Sequence, residues 1–222
     1  MASCLAKLQA DEACRHLIKA RTESRLHQLI RERQSWPSGS LGTAYINFME
    51  ANHYSHTLFP NPDFFNNLQS EYDYINYRIW HYHDIFHVVC DMPTTRQGEL
   101  GLLAFIACQT KHPGVMSILI SDMSYLLINK HDQADTLKAS QQLIRQASHL
   151  ARQAKPLFPV PWEEWLPRNL RRIRADLRLE RPINQSASRP RTPDETRGSL
   201  SQLDRHRFPL EQTDVGLFAG GN

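Results

Sequence analysis

Trp80-His81-Tyr82-His83-Asp84-Ile85-Phe86-His87 is the stretch on which the reading of this chain turns. At about 100° per residue, a helix through it gathers His83, Asp84 and His87 within an arc of about 100° on one side. Ile79, Trp80, Phe86 and Cys90 share the stripe of His83 and His87, so the histidines belong to an apolar face that turns inward. His81 lies about 160° to 200° from both and is left out of the group. The next segment repeats the pattern, because Leu102, Leu103 and Ile106 follow Glu99 at the i+3, i+4 and i+7 positions of a helix. Two inward faces, each bearing polar groups, imply neighbouring helices that share one site.

A carboxylate on a core-facing stripe must be paired, hydrogen-bonded or metal-bound, since an isolated buried charge costs several kcal/mol or more. Two imidazoles with one or two carboxylates suit zinc, or a metal such as iron(II) with open positions, and the ligand types alone do not choose between them. HxxxH on a helix also occurs as a pair of hydrogen-bonded core histidines. The acidic neighbour Asp84 and the inward Glu99 weigh toward a metal site here.

Working outward, the helical pattern holds along the chain. Residues 1 to about 33 read as a helix or a broken pair, with Cys14, Leu17, Ile18, Leu26, Leu29 and Ile30 as its apolar positions. Ser40 is placed to cap a helix carrying Leu41, Ala44, Tyr45, Phe48 and Met49. Pro60 and Pro62 impose an irregular connection, after which Phe64, Phe65 and Leu68 begin another helix; His53 and His56 are read as surface or loop residues. A single helix from about Glu71 to Val89 then carries the candidate ligands, with Pro93 ending it and Thr94 or Thr95 capping the helix of Glu99, which runs to about Thr110. That helix and the following segment, Val115 to Ile128, are apolar around most of their circumference, which places each in the core or along a greasy groove. An amphipathic helix from about Asp132 to Ala154 faces Leu137, Leu143, Ile144, Ala147 and Leu150 inward. The last helix, Trp162 to Leu179, sets Trp162 and Trp165 beside Arg168, Arg171, Arg172, Arg174 and Arg178. Such a face rests on anionic lipid headgroups or is simply solvated. Beyond Pro182 few apolar residues remain, so residues 182–222 are expected to be a disordered polar tail behind one helical domain, 1–181.

The bulk numbers narrow the function classes. With 222 residues, 41% of them hydrophobic, the chain can bury one substantial core, and about seven helices are expected. Its longest uncharged apolar run, Leu100 to Cys108, is far short of the roughly twenty residues needed to span a bilayer. Four cysteines without a CxxC pair point to buried thiols in a reducing compartment. A net charge of +3 without a recognition motif excludes nucleic acid as a partner. Asp11 and Glu12 argue against a secretory signal or an acid-free presequence, so a cytoplasmic bacterial protein is expected, with a peripheral place on the inner face of the plasma membrane if the arginine face meets lipid. No Gly-rich phosphate loop, GxSxG elbow or HExxH is present.

His83, Asp84 and His87, followed after eleven further residues by Glu99, form an HDxxH…E arrangement that resembles the signature of the ubiquinone (coenzyme Q) biosynthesis family typified by the Coq-four protein. Upstream, Trp36-Pro37-Ser38-Gly39-Ser40-Leu41-Gly42-Thr43-Ala44-Tyr45 with Phe48-Met49 is similar to that family's Pro-x-Gly-Thr-Leu-Gly-x-Ala-Tyr-x-x-Phe-Met segment. Downstream, Pro93-Thr94-Thr95, Gly98-Glu99 and Trp162-Glu163-Glu164 continue the likeness, which covers roughly residues 25 to 180. The resemblance implies that His83, Asp84, His87 and Glu99 hold a divalent metal, described for the family as zinc, with iron left open. It implies a lyase: the ring carboxyl of a polyprenylated 4-hydroxybenzoate precursor is removed at C1 with oxidation of that carbon. The prenyl tail calls for an apolar channel, and other quinone-biosynthesis enzymes become expected partners. Zinc cannot change oxidation state, so the hydroxylation half needs dioxygen reacting directly with the phenol, or another metal. The competing reading is a non-catalytic, lipid-binding organiser of those enzymes, its metal tying two helices together; a homo-oligomer is left open. One departure stands out: Cys90-Asp91 replaces the usual Gly after the histidine helix and is expected to change the turn and add a carboxylate near the metal.

Overall fold

Side chains that compete for backbone N–H groups mark where the helices of this chain begin. Among residues 1–32, 35–54, 68–129 and 134–179, which the computed structural model describes, eleven helices are formed and no strand. The N-terminal part gives α1 (Ala2–Gln9), α2 (Glu12–Ala20) and α3 (Leu26–Arg31), with Asp11 accepting from the Cys14 N–H at the head of α2. Ser40 caps α4 (Leu41–Ala51) as its position implied, accepting from the Thr43 N–H. Ser70 and Asp73 close a reciprocal capping box at the head of α5 (Glu71–His81). The connection through Pro60 and Pro62, the helix start at Phe64, His56 and the tail beyond Pro182 lie outside the described residues. All described residues belong to one compact unit, Met1–Ala187.

The single helix expected from Glu71 to Val89 is two helices. After α5 the chain turns at Tyr82, with φ −102° and ψ 9°, and resumes as α6 (His83–Cys90). Tertiary anchorage explains the break. The Tyr82 hydroxyl donates to Glu163 Oε1 at 2.6 Å, and the Arg78 guanidinium lies 4.7 Å from the centre of its ring. Arg78 is itself buried, donating to the carbonyls of Phe158 and Val160 at 2.7 Å each. Both partners come from far along the chain, so local periodicity carries no trace of them.

At the centre runs α7 (Arg96–Thr110), capped by Thr95 rather than Thr94, with its consecutive residues Leu100 to Ile106 all buried. It lies against α9 (Ala134–Gln153), and the contact is close enough to require glycine: a Cβ on Gly101 would meet Leu143 Cγ at 2.9 Å. The intervening α8 (Pro113–Ile128) departs from the sequence reading. It turns Val115, Asp122 and Leu126 inward, while Met116, Ile120, Tyr125, Leu127 and Ile128 are exposed. A helix apolar on every side is here a surface helix, because α7 and α9 cover only one side of it.

The last expected helix also divides. Pro167 and Asn169 separate α10 (Trp162–Trp165) from α11 (Leu170–Asp176), since proline is not accommodated inside a helix. The carbonyls freed at this corner are used: Leu41 N–H donates to Arg168 O at 2.9 Å and Gly42 N–H to Leu166 O at 2.8 Å, joining the corner to the head of α4. The four cysteines are free thiols, as expected. Among the described residues, no helix is long and apolar enough to cross a membrane.

Candidate metal centre

Because α6 restarts at Tyr82, His83 occupies its first position and His87 falls one turn later on the same side. Glu99, in the first turn of α7, completes the group: its Oε2 is 3.6 Å from His83 Nε2 and its Oε1 is 3.1 Å from His87 Nε2. His83, His87 and Glu99 each offer a ligand atom, and those atoms all lie within 4.8 Å of one another. His87 is buried, whereas His83 and Glu99 keep a small opening to solvent. His81, excluded by its angle, is buried elsewhere against His27, Tyr77 and Tyr82. Burial, with His27 and Arg78 nearby, pushes its imidazole down to about 3, so it stays neutral. His53 is exposed, as a loop histidine should be.

The remaining ring nitrogens fix how each imidazole is presented. His87 Nδ1 stands 3.0 Å from the Met92 carbonyl oxygen, which can only accept, so Nδ1 carries the proton and Nε2 offers a lone pair. That lone pair faces the Glu99 carboxylate, and Nε2 is buried without a hydrogen-bond partner. Two electron-rich atoms 3.1 Å apart are stable together only with a proton or a cation between them. The donor set therefore fits a divalent metal. With a proton in that place, burial opposes charge on both partners, yet their mutual attraction wins: His87 is raised and Glu99 is held below the usual carboxylate range.

Asp84 stands apart from this group. Its Oδ1 is 3.6 Å from His83 Nδ1, on the edge of the ring away from Glu99. About 35% of its side chain meets solvent, although protein crowds the carboxylate closely enough for burial to oppose its charge. The contact with His83 and the imidazole charges outweigh burial and keep its carboxyl low.

Several positioning contacts come from side chains to which the sequence pattern assigned no such task. Phe48 of α4 stacks on His87 with centroids 5.7 Å apart, and Trp80 leans on His83 at 5.6 Å. The loop between α6 and α7 is held by Thr94, whose hydroxyl donates to Asn52 Oδ1 at 2.6 Å, while Asn52 Nδ2 donates to the Phe48 carbonyl at 2.8 Å. The carbonyl end of α6 is satisfied by Arg174 of α11, which donates to Val88 O at 2.8 Å and Val89 O at 3.1 Å. A guanidinium there also complements the negative end of the helix dipole. Asp91 adopts the left-handed conformation at φ 56° where a glycine is usual, and its carboxylate accepts from Arg174 at 3.1 Å. The added carboxylate thus serves the helix end, exposed to solvent, and is no neighbour of the three ligand atoms.

With this geometry in place, the likenesses to other proteins fall into one pattern. The family model for the coenzyme Q (ubiquinone) biosynthesis protein Coq4 matches residues 1–183. The ubiquinone biosynthesis protein COQ4 homolog, mitochondrial, of Drosophila pseudoobscura pseudoobscura is 25% identical over 194 residues, covering 81% of this chain and 70% of that protein. The corresponding mitochondrial proteins of Talaromyces stipitatus and Mycosarcoma maydis are 28% and 25% identical over 67% and 78% of this chain. The chain spans about half the length of those two fungal relatives, 49% and 54%. A crystal structure of a protein from Nostoc punctiforme superposes with a TM-score of 0.63 at 23% identity, covering 82% of this chain and 80% of that one. That likeness speaks for the helical fold alone.

Proposed function

The chain belongs to the coenzyme Q (ubiquinone) biosynthesis Coq4 family, and from that premise we propose that it removes the C1 carboxyl of a polyprenylated 4-hydroxybenzoate precursor in a metal-dependent, oxidative decarboxylation. The observation that carries the proposal is the convergence of His83 Nε2, His87 Nε2 and a Glu99 oxygen, with His87 Nε2 buried and unsatisfied by any hydrogen bond. His83, His87 and Glu99, with Asp84 beside them, would hold the ion. When bound, a divalent ion supplies Lewis-acid contact to the ring carboxylate beside the breaking C–C bond. Two imidazoles and a carboxylate suit zinc, and equally the open-sided iron(II) sites that handle dioxygen, which the oxidation of C1 requires.

The chain's own residues then have definite tasks. Met92 O holds the His87 proton on Nδ1, and the Phe48 plane fixes the ring orientation. Trp80, partly exposed beside His83, gives the aromatic substrate a flat surface at the mouth of the site. The reaction places the protein among other quinone-biosynthesis enzymes and at a membrane surface where polyprenylated substrates reside. Arg171 and Arg172 are exposed on α11, and their exchange for Glu should abolish association with anionic vesicles if that face makes the contact.

A second reading has one observation in its favour. The exposed apolar side of α8 suits an organiser that gathers partner enzymes, its metal only tying α6 to α7. Lipid mass spectrometry on cells lacking the gene, complemented with wild-type protein or His87→Ala, separates the two. A prenylated ring that keeps its carboxyl, accumulating in the deletion and persisting with the variant, supports decarboxylation at the site. Restoration of normal quinone by His87→Ala overturns it in favour of the organiser.

A further inference from the structure

Helix α8 keeps half of its circumference open, and that half is uncharged. Met116, Ile120, Tyr125, Leu127 and Ile128 are 44%, 61%, 48%, 51% and 79% exposed. With Ser117, Ser121 and Ser124 they fill an arc of about 180°, opposite the buried Val115, Asp122 and Leu126. Serine hydroxyls can return their hydrogen bond to the helix's own carbonyls, so an apolar face tolerates them. Tyr125 stands at one edge of the arc, and there the Arg96 guanidinium of α7 rests 4.5 Å from the centre of its ring. Asp122 Oδ1 is 3.9 Å from Arg96, outside hydrogen-bond reach, and Arg96 Nε is buried without a hydrogen-bond partner. A cation with donors unspent thus borders an uncharged, largely apolar face. We infer that this side of α8 docks on a lipid bilayer, its apolar side chains entering the acyl boundary while Arg96 and Tyr125 meet phosphate at the rim.

Charge selects the bilayer over the other surfaces that could cover such a face. A second α8 laid against the first brings no acceptor for Arg96, since the one acid of this helix, Asp122, is buried on its inner side. A protein groove would have to set an acid beside an apolar trough, whereas a phospholipid layer carries phosphate oxygens above acyl chains everywhere. With 16 residues the helix is about 24 Å long, too short to cross and suited to lying in the plane of the interface. Arginine and tyrosine are side chains that reach from an apolar layer to its polar edge. Docking of this kind does not depend on the chemistry of the metal centre, and it would stand if decarboxylation were disproved.

The test uses the full chain with vesicles of phosphatidylcholine, alone or mixed with phosphatidylglycerol, read by co-sedimentation and by hydroxyl-radical footprinting. Met116 and Tyr125 should be oxidised readily in the free protein and become protected on either vesicle. Ile120→Asp should weaken vesicle binding at least about tenfold, the order expected when one isoleucine side chain stays out of the apolar layer. Arg96→Gln should weaken it about fivefold, as for the loss of one cationic contact with the lipid surface, and leave binding to maltoside micelles, which have no phosphate, unchanged. Arg171→Glu combined with Arg172→Glu should keep the protection of Met116 and Tyr125 on phosphatidylcholine. Equal oxidation of Met116 and Tyr125 with and without vesicles, or wild-type binding by Ile120→Asp, would overturn the docking. Protection already present in the free protein and lost on dilution would overturn it in favour of a second copy. Wild-type binding by Arg96→Gln would overturn the choice of a bilayer and return the face to a protein partner. None of these outcomes alters the lipid profile that tests decarboxylation.

Discussion

Helices α7 and α8 adjoin in sequence and look alike in composition, yet one is the centre of the molecule and the other part of its surface. In α7 every residue from Leu100 to Ile106 is buried, whereas α8 leaves Ile120 61% and Ile128 79% exposed. Helix α7 meets α9 through Gly101 and Leu143 and meets α6 through Glu99 and the two histidines. Among the described residues, helix α8 has neighbours on one side alone, and its single acidic residue, Asp122, lies on that side within 3.9 Å of Arg96. Hydrophobicity states what a helix can afford to bury; the number of neighbours around it decides what is buried. In these two helices the polar residues mark the direction: Glu99 points from α7 to the site, and Asp122 points from α8 to the head of α7.

The sharpest way to break this contrast is truncation in each helix. Phe105→Ala should cost about 3–5 kcal/mol, measured by denaturant unfolding, because it opens a cavity in a fully surrounded position. An effect near zero would remove α7 from the centre. Next in size, saturating metal at about 100 times Kd should stabilise the wild-type protein by about 2.7 kcal/mol and leave Glu99→Ala unaffected in thermal unfolding. Equal shifts in both proteins would detach the ion from α7.

A smaller effect concerns pH in metal-free protein. His87 is raised from its ordinary 6.5, so its contribution is complete below 6.5 and fades as pH climbs through the folded-state value. Glu99 is lowered from its ordinary 4.5, so its contribution is complete above 4.5 and fades as pH drops through its folded-state value. In metal-free protein the stability difference between wild type and Glu99→Gln should therefore be greatest between pH 4.5 and 6.5 and shrink on either side, whereas His81 and His112, pushed down by burial, make both proteins lose stability together as pH falls below 6.5. A difference that does not change with pH would assign it to other groups. Smallest of all, Ile120→Ser on the open side of α8 should change stability by no more than about 0.5 kcal/mol. A loss comparable to that of Phe105→Ala would show α8 to be covered after all.

What the sequence made legible follows from how local each cause is. Ser40 and Thr95 cap the helices they precede because a hydroxyl three residues from a free N–H is a purely local arrangement. The gathering of His83, His87 and Glu99 was legible from helical angle and an inward stripe on each of two consecutive helices. The break at Tyr82 was not, because its anchor is Glu163, 81 positions away. Nor was the side of His83 on which Asp84 falls: helical angle puts Asp84 near the ligand face, and its Oδ1 stands by Nδ1 of the ring while Glu99 stands by Nε2. The role of Asp91 was hidden for the same reason, its partner Arg174 lying 83 positions downstream.

That arginine also sets an order in time. Val88 O and Arg174 are 86 positions apart, so during synthesis the histidine helix leaves the ribosome well before the residue that closes its carbonyl end. Chains fold from the N-terminus as they emerge, and an ion captured early would meet His83 and His87 on a helix whose last turn still bonds to water. The carbonyl end of the histidine helix is closed only once translation has passed Arg174 in α11.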